Sequence, residues 1–202
     1  MKTALGFFGA FNPPTMAHLT LARVAAEETG FSQTIFVPSR SDYIRNFQGK
    51  DYAYSDETRL RMLRRLAETR PWMGVTDIEL RMDRQPRTYI TLCQMREQGV
   101  QASLLMGTDK LRELEKWRYV EQIAREFGIV CVDRGEDDGE RLLREDPYLR
   151  SIAPYVRIIR GPEALKDVSS SAVRRRVAEI RRLRAEIAAM TPTEIMDLLE
   201  EG

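Results

Sequence analysis

"GAFNPPTMAHL", residues 9–19, carries the single histidine of a 202-residue chain, His18, three positions after Thr15 and just beyond two prolines. An apolar run, "TALGFF" (3–8), stops at its edge, and a helical pattern, "LTLARVAAEETG" (19–30), follows it and closes on a glycine suited to a helix C-terminus. A strand that turns directly into a helix puts backbone N–H groups and a helix N-terminus at one edge of a sheet, where phosphate binds readily. Neither G-x-G-x-x-G nor G-x-x-x-x-G-K-[ST] is present, so the turn is neither a dinucleotide fingerprint nor a P-loop. Pro13 and Pro14 stiffen it into an extended path, which moves part of the donor role to side chains. Thr15 and His18, three apart, share one face of the first helical turn. The bland alternative is an ordinary turn with a structural histidine.

Further apolar runs, "TIFVPS" (34–39), "WMGVTDIEL" (72–80), "ASLLMG" (102–107), "GIVCVDR" (128–134) and "YVRIIRG" (155–161), read as strands. Helical patterns lie between them. One begins near Ser55 with Asp56 and Glu57 in its first turn and turns Leu60, Leu63 and Leu66 inward. Others run over 88–98, 110–127 and onward from Ser171, and "TPTE" (191–194), with Pro192 in the first helical position, predicts a short last helix. This alternation predicts a Rossmann-like, doubly wound α/β fold: a mainly parallel sheet with helices on both faces and a C-terminal helical segment. One domain is expected over 1–202, with a core to 168 and helices from 169. The irregular connection 39–54 is long enough to count as part of the site.

Composition narrows the function classes. With 32 basic and 31 acidic residues there is no net field of one sign, and nucleic acid is not the expected partner. No apolar run reaches the ~20 residues of a membrane span, and the N-terminus lacks the pattern of a signal peptide, so the chain reads as cytoplasmic. Its two cysteines, Cys93 and Cys131, sit in helical and strand patterns as small hydrophobes, and one histidine makes a structural zinc site improbable.

Two other stretches carry chemistry. In "VSSSAVRRR" (168–176) one serine would suffice as a cap, so three serines and Arg174 one turn into the helix suggest an oxyanion cradle, while the remaining arginines read as a solvated face. In "LLMGTDKLRELEKW" (104–117) a buried strand ends on Gly107, which allows close approach of a ligand, and Asp109 can accept from ribose hydroxyls.

Taken in order, these segments resemble the nicotinamide/nicotinate mononucleotide adenylyltransferases of the nucleotidyltransferase superfamily. "GAFNPPTMAHL" is similar to the family's G-x-F-N-P-x-[HT]-x-x-H-L, "LLMGTDKL" to its L-x-G-x-D-x-L, "FGIVCVDRG" to its F-G-[LI]-V-C-V-x-R and "VSSSAVRRR" to its I-S-S-T-x-[IV]-R. The resemblance implies adenylyl transfer from ATP, with Mg²⁺ carried by the ATP and no metal held by the protein, giving NAD or deamido-NAD and pyrophosphate. It implies catalysis by Thr15, His18 and Arg174. ATP would meet Gly9, Ala10 and Phe11, then Gly107 and Asp109, Arg134, and Ser169, Ser170, Ser171 and Arg174. The pyridine mononucleotide would meet Phe11, Asn12, Arg45, Lys50, Thr88 and Trp117. It leaves a homo-oligomer open and implies no nucleic acid and no membrane.

The chain departs from the pattern at several positions: Thr15 stands where the bacterial branch has a first histidine, Ala17 where many members have glycine, and Ile78 at what resembles a second pyridine-stacking tryptophan. These bear on the choice between acid and amide substrate and leave the ATP side intact. Three other readings stay open: a phosphopantetheine adenylyltransferase or cytidylyltransferase, which shares the first and last motifs but has no use for Trp117; a silent nucleotide-binding domain on the same fold; and an RNA-binding protein using the basic helix, which the balanced charge disfavours.

Overall fold

A computed structural model describes residues 1–47, 53–133, 138–161 and 170–189 of the chain. Among these residues the strands are β1 (Lys2–Gly9), β2 (Thr34–Pro38), β3 (Met73–Val75), β4 (Val100–Gly107), β5 (Ile129–Asp133) and β6 (Val156–Arg160). They form one sheet in the order β3-β2-β1-β4-β5-β6, with every pairing parallel. Helices connect them: α1 (Met16–Thr29), α2 (Ser41–Phe47), α3 (Asp56–Ala67), α4 (Thr88–Glu97), α5 (Thr108–Leu111), α6 (Val120–Phe127), α7 (Gly139–Glu145), α8 (Pro147–Ile152) and α9 (Ser170–Ala189). This is the expected Rossmann-like α/β fold, and its strand order reverses between β1 and β4.

The strand sequences explain why the sheet is covered on both sides. Along each strand alternate residues face opposite ways, so Val37, Leu104, Met106, Ile129 and Cys131 enter one core with Leu92 and Ile123. Phe36, Leu105, Val130 and Val132 enter the other, with Leu19, Ala22 and Leu63. A strand buried on both faces has to be apolar throughout, which is why these runs show no polar alternation. The consequence for function is positional. The turns after β1 and β4, "GAFNPPT" and "GTD", emerge side by side at the C-terminal edge where ligands bind in open α/β sheets.

Four expectations differ from the structure. The single helix expected over 110–127 is broken into α5, a 3₁₀ turn at Leu114–Lys116 and α6, with Trp117 extended and Tyr119 at φ 66°. On one continuous helix Leu111 and Leu114 would lie on the side roughly opposite Val120, Ile123 and Phe127. All five are buried, and only a break lets both sets face the core. The strand expected over 72–80 is only Met73–Val75, because the chain then turns through hydrogen bonds from Arg81 N–H to the Asp77 carbonyl and from Met82 N–H to the Glu79 carbonyl. The connection 39–54, expected to be irregular, contains α2, and α7 and α8 lie where no helix was anticipated. The last helix begins at Ser170, and the helix expected after 191–194 lies outside the described residues.

Candidate active site

The turn after β1 is shaped by packing as well as by its prolines, the Asn12–Pro13 peptide being cis. Phe11 is fully buried, its ring 5.4 Å from that of Phe7, 5.2 Å from that of Phe36 and 5.2 Å from that of His18, and its backbone is held at φ 42°. A bulky residue in that region costs on the order of 1–3 kcal/mol and persists only where surrounding structure imposes it. Phe11, expected at both ATP and the mononucleotide, lines the cleft while its ring packs into the core. Asn12, also expected at the mononucleotide, is fully buried and accepts the Tyr54 N–H on Oδ1 at 2.9 Å. It shapes the turn from inside.

Thr15 caps α1. Its backbone N–H donates to His18 Nδ1 at 3.0 Å, and its hydroxyl lies 2.8 Å from the same nitrogen. An amide can only donate, so Nδ1 is an acceptor and the neutral imidazole carries its proton on Nε2, the opposite edge of the ring. His18 is thereby fixed as an uncharged N–H donor at a helix N-terminus with no acidic residue in its first turn. Thr15, expected as a second donor to phosphate, has both its N–H and its hydroxyl directed at His18.

The last helix reaches the same turn: the Arg174 guanidinium donates to the Asn12 carbonyl across 162 positions of sequence. Ser170 and Ser171 lie in the first turn of that helix, while their side chains, with Ser169, Arg134 and Lys50, fall outside the described residues and atoms.

A cleft of about 790 Å³ opens along this edge of the sheet. Gly9, Ala10 and His18 line it on the β1 side, Gly107 and Asp109 on the β4 side, and Thr88 and Trp117 at the far wall. Trp117 reaches it because the break after α5 leaves it extended, half-buried against the core. Arg45 is exposed on α2 and is not part of the lining, whereas Tyr43 of the same helix is. Sequence reasoning also passed over the cations Arg87, Lys116 and Arg118 that line the cleft on either side of Thr88 and Trp117.

The cytidylyltransferase-like family model matches residues 7–176, which span both edges of this cleft. The chain belongs to the cytidylyltransferase-like family. Among its relatives, a Flavobacterium johnsoniae protein described as a "probable nicotinate-nucleotide adenylyltransferase" is 32% identical over 162 residues, covering 78% of this chain and 82% of that one. A Carboxydothermus hydrogenoformans protein of the same description is 27% identical over 196 residues, covering 96% of this chain and 92% of that one. The solved structure of Plasmodium falciparum nicotinic acid mononucleotide adenylyltransferase complexed with NaAD superposes with a TM-score of 0.68 at 19% identity, covering 87% of this chain and 83% of that one. That likeness concerns the fold.

One group in the cleft of this cytidylyltransferase-like chain titrates near neutrality. Glu79 is 2% exposed, and burial pushes its carboxyl up to about 7, against hydrogen bonds from Gln85 at 2.5 Å and Thr91 at 2.9 Å that favour the charged form. Gln85 in turn accepts the Arg40 N–H at 2.8 Å, so the carboxyl ties the 79–88 loop to the end of β2. The folded value lies above the unfolded 4.5, so folding favours the protonated form. The contribution is whole below about pH 4.5 and is lost as pH rises through about 7. Glu79→Gln is expected to flatten the fall in stability between pH 5 and pH 8 by up to about 3 kcal/mol. Urea midpoints at both pH values measure this, and identical pH dependence in the two proteins would exclude Glu79 as the titrating group.

Proposed function

We propose that the chain transfers the adenylyl group of ATP to nicotinate mononucleotide. A phosphate oxygen of the mononucleotide forms a bond to the α-phosphorus as the bond from that phosphorus to the β-phosphate oxygen breaks, giving deamido-NAD and pyrophosphate. The observation that carries the reading is the hydrogen bond from Arg174 to the Asn12 carbonyl, which brings the two phosphate-type segments of the sequence to one turn beside the cleft. The relatives' descriptions as nicotinate-nucleotide adenylyltransferases support the acid form of the substrate.

The chemistry needs donors and positioning in place of a protein nucleophile. His18 donates Nε2–H to a phosphate oxygen whose charge grows in the transition state, and Thr15 holds the ring in that tautomer. Arg174, seated on the Asn12 carbonyl, supplies positive charge to the outer phosphates together with the serines at the start of α9. Gly9, Ala10 and Gly107 allow close approach of the triphosphate and adenosine, and Asp109 accepts from a ribose hydroxyl. Thr88 and Trp117 take the mononucleotide, the indole stacking on the pyridine.

Among the described residues no three His, Cys, Asp or Glu side chains come together as a metal site. Donors lining the cleft such as His18 and Lys110 suit the phosphates of ATP, on which the cation would arrive. Bound there, Mg²⁺ would neutralise triphosphate charge.

Trp117→Ala is expected to weaken nicotinate mononucleotide binding by about tenfold or more, from the loss of ~1–3 kcal/mol of stacking, with ATP affinity unchanged. Titration calorimetry with each ligand separately tests it. Equal weakening of both ligands would place the indole elsewhere.

A further inference from the structure

The largest fully buried side chain in the described protein is an arginine, Arg59, at 0% exposure on α3. Burial of a guanidinium is costly: it lowers the pKa of Arg59, and the Asp56 carboxylate 2.5 Å away works against that. A methionine of similar reach would fill the space without the penalty, so packing does not account for the residue.

Its hydrogen bonds do. Nη1 donates to the Ala10 carbonyl at 2.7 Å, Nη2 to the Ser39 carbonyl at 2.5 Å, and Nε to the Tyr54 carbonyl at 3.2 Å. These three carbonyls belong to three separate connections: the turn after β1, the end of β2 and the approach to α3. The same connections are cross-tied around Arg59. Asp56 accepts the Ser41 N–H at 2.7 Å, and Asn12 accepts the Tyr54 N–H at 2.9 Å while its carbonyl receives Arg174. One planar fork thus fixes the distance between the turn that carries His18 and the segment that leads into α2, whose Ser39 and Tyr43 line the cleft.

We infer that Arg59 is a positioning residue for adenylyl transfer: it sets the gap between the turn that holds the ATP phosphates and the 39–44 segment that borders the acceptor. This rests on the function proposed above. The β1 turn keeps its anchors in β1 and α1 when Arg59 is removed, whereas the 39–44 and 53–56 segments are left with single bonds to it, from the Ser39 N–H to the Gly9 carbonyl at 3.0 Å and from the Tyr54 N–H to Asn12 Oδ1 at 2.9 Å. The effect therefore falls on the acceptor and on turnover more than on ATP. A lysine keeps the charge but has no planar fork, and it cannot hold three carbonyls in fixed directions.

The test compares wild type with Arg59→Lys and Arg59→Met. For Arg59→Lys we expect KM for nicotinate mononucleotide to rise about tenfold and kcat to fall at least tenfold, with Kd for ATP within about threefold. Amide hydrogen exchange should accelerate at Ser39, Ser41 and Tyr54, with β4 unchanged. Arg59→Met should unfold at a clearly lower urea concentration than wild type, because the Ala10, Ser39 and Tyr54 carbonyls and the Asp56 carboxylate lose the guanidinium, and it should show the larger kinetic defect; Arg59→Lys, which keeps the charge, carries the kinetic comparison. Unaltered exchange at those amides, or a loss of ATP binding as large as that of the mononucleotide, would overturn the inference. A wild-type protein without adenylyl transfer would instead overturn the proposed function, and the exchange result would still decide whether Arg59 ties the segments together.

Discussion

Replacing His18 by glutamine lowers kcat by roughly 10²–10³-fold with little change in either substrate's affinity, because a donor aimed at charge that develops in the transition state contributes to the rate and not to ground-state binding. Glutamine is the informative substitution. A Thr-x-x-Gln sequence is a capping box, and the new side-chain carbonyl accepts the Thr15 N–H that Nδ1 accepts in the native protein. Stability is then retained while the Nε2–H donor is gone. His18→Ala removes both and should show the same kinetic loss with about 1 kcal/mol of destabilisation besides. Steady-state kinetics with urea unfolding of each variant separates the two effects, and a glutamine variant with native turnover removes His18 from the mechanism.

Arg174→Ala is expected to reduce kcat/KM for ATP by about 10²-fold. A charge-assisted hydrogen bond in a partly desolvated site contributes ~1.5–3 kcal/mol, and the variant also frees the start of α9 from the Asn12 carbonyl. Arg174→Lys should recover only part of the loss, since an ammonium on a flexible stem cannot hold that carbonyl and a phosphate together with the geometry of a planar fork. Native kinetics in the alanine variant would mean that α9 contributes nothing to the triphosphate site.

Much of this architecture was legible because strands buried on both faces must be apolar throughout and helices must keep a periodic face. The position of the His18 turn at the sheet edge followed from the junction alone. What escaped reading has physical reasons that lie in three dimensions. The segment 110–127 is rich in helix formers, and only the relative angle of Leu111 and Leu114 against Val120 and Ile123 exposes the break that delivers Trp117. Helices α7 and α8 lie in a charged stretch, yet Asp146 before Pro147 is a helix start, and Asp146 accepts from the Tyr148 and Leu149 N–H groups. Arg59 left a trace too: it shares the stripe of Leu63 and Leu66, so an arginine there is either strained or partnered. Its three carbonyl partners could not be found from spacing, since they come from connections that only the folded sheet brings together. Thr15 and His18, by contrast, were placed on one face by their spacing, and the bond from the Thr15 N–H to His18 Nδ1 is local in sequence.

Whether this edge of the sheet joins a pyridine mononucleotide to the adenylyl group of ATP is decided by incubating the protein with ATP, Mg²⁺ and nicotinate mononucleotide, with parallel reactions on nicotinamide mononucleotide and phosphopantetheine. Equimolar pyrophosphate and deamido-NAD are expected, with nicotinate mononucleotide preferred over the amide. Pyrophosphate released only with phosphopantetheine, or no product with any acceptor, would contradict the proposed transfer.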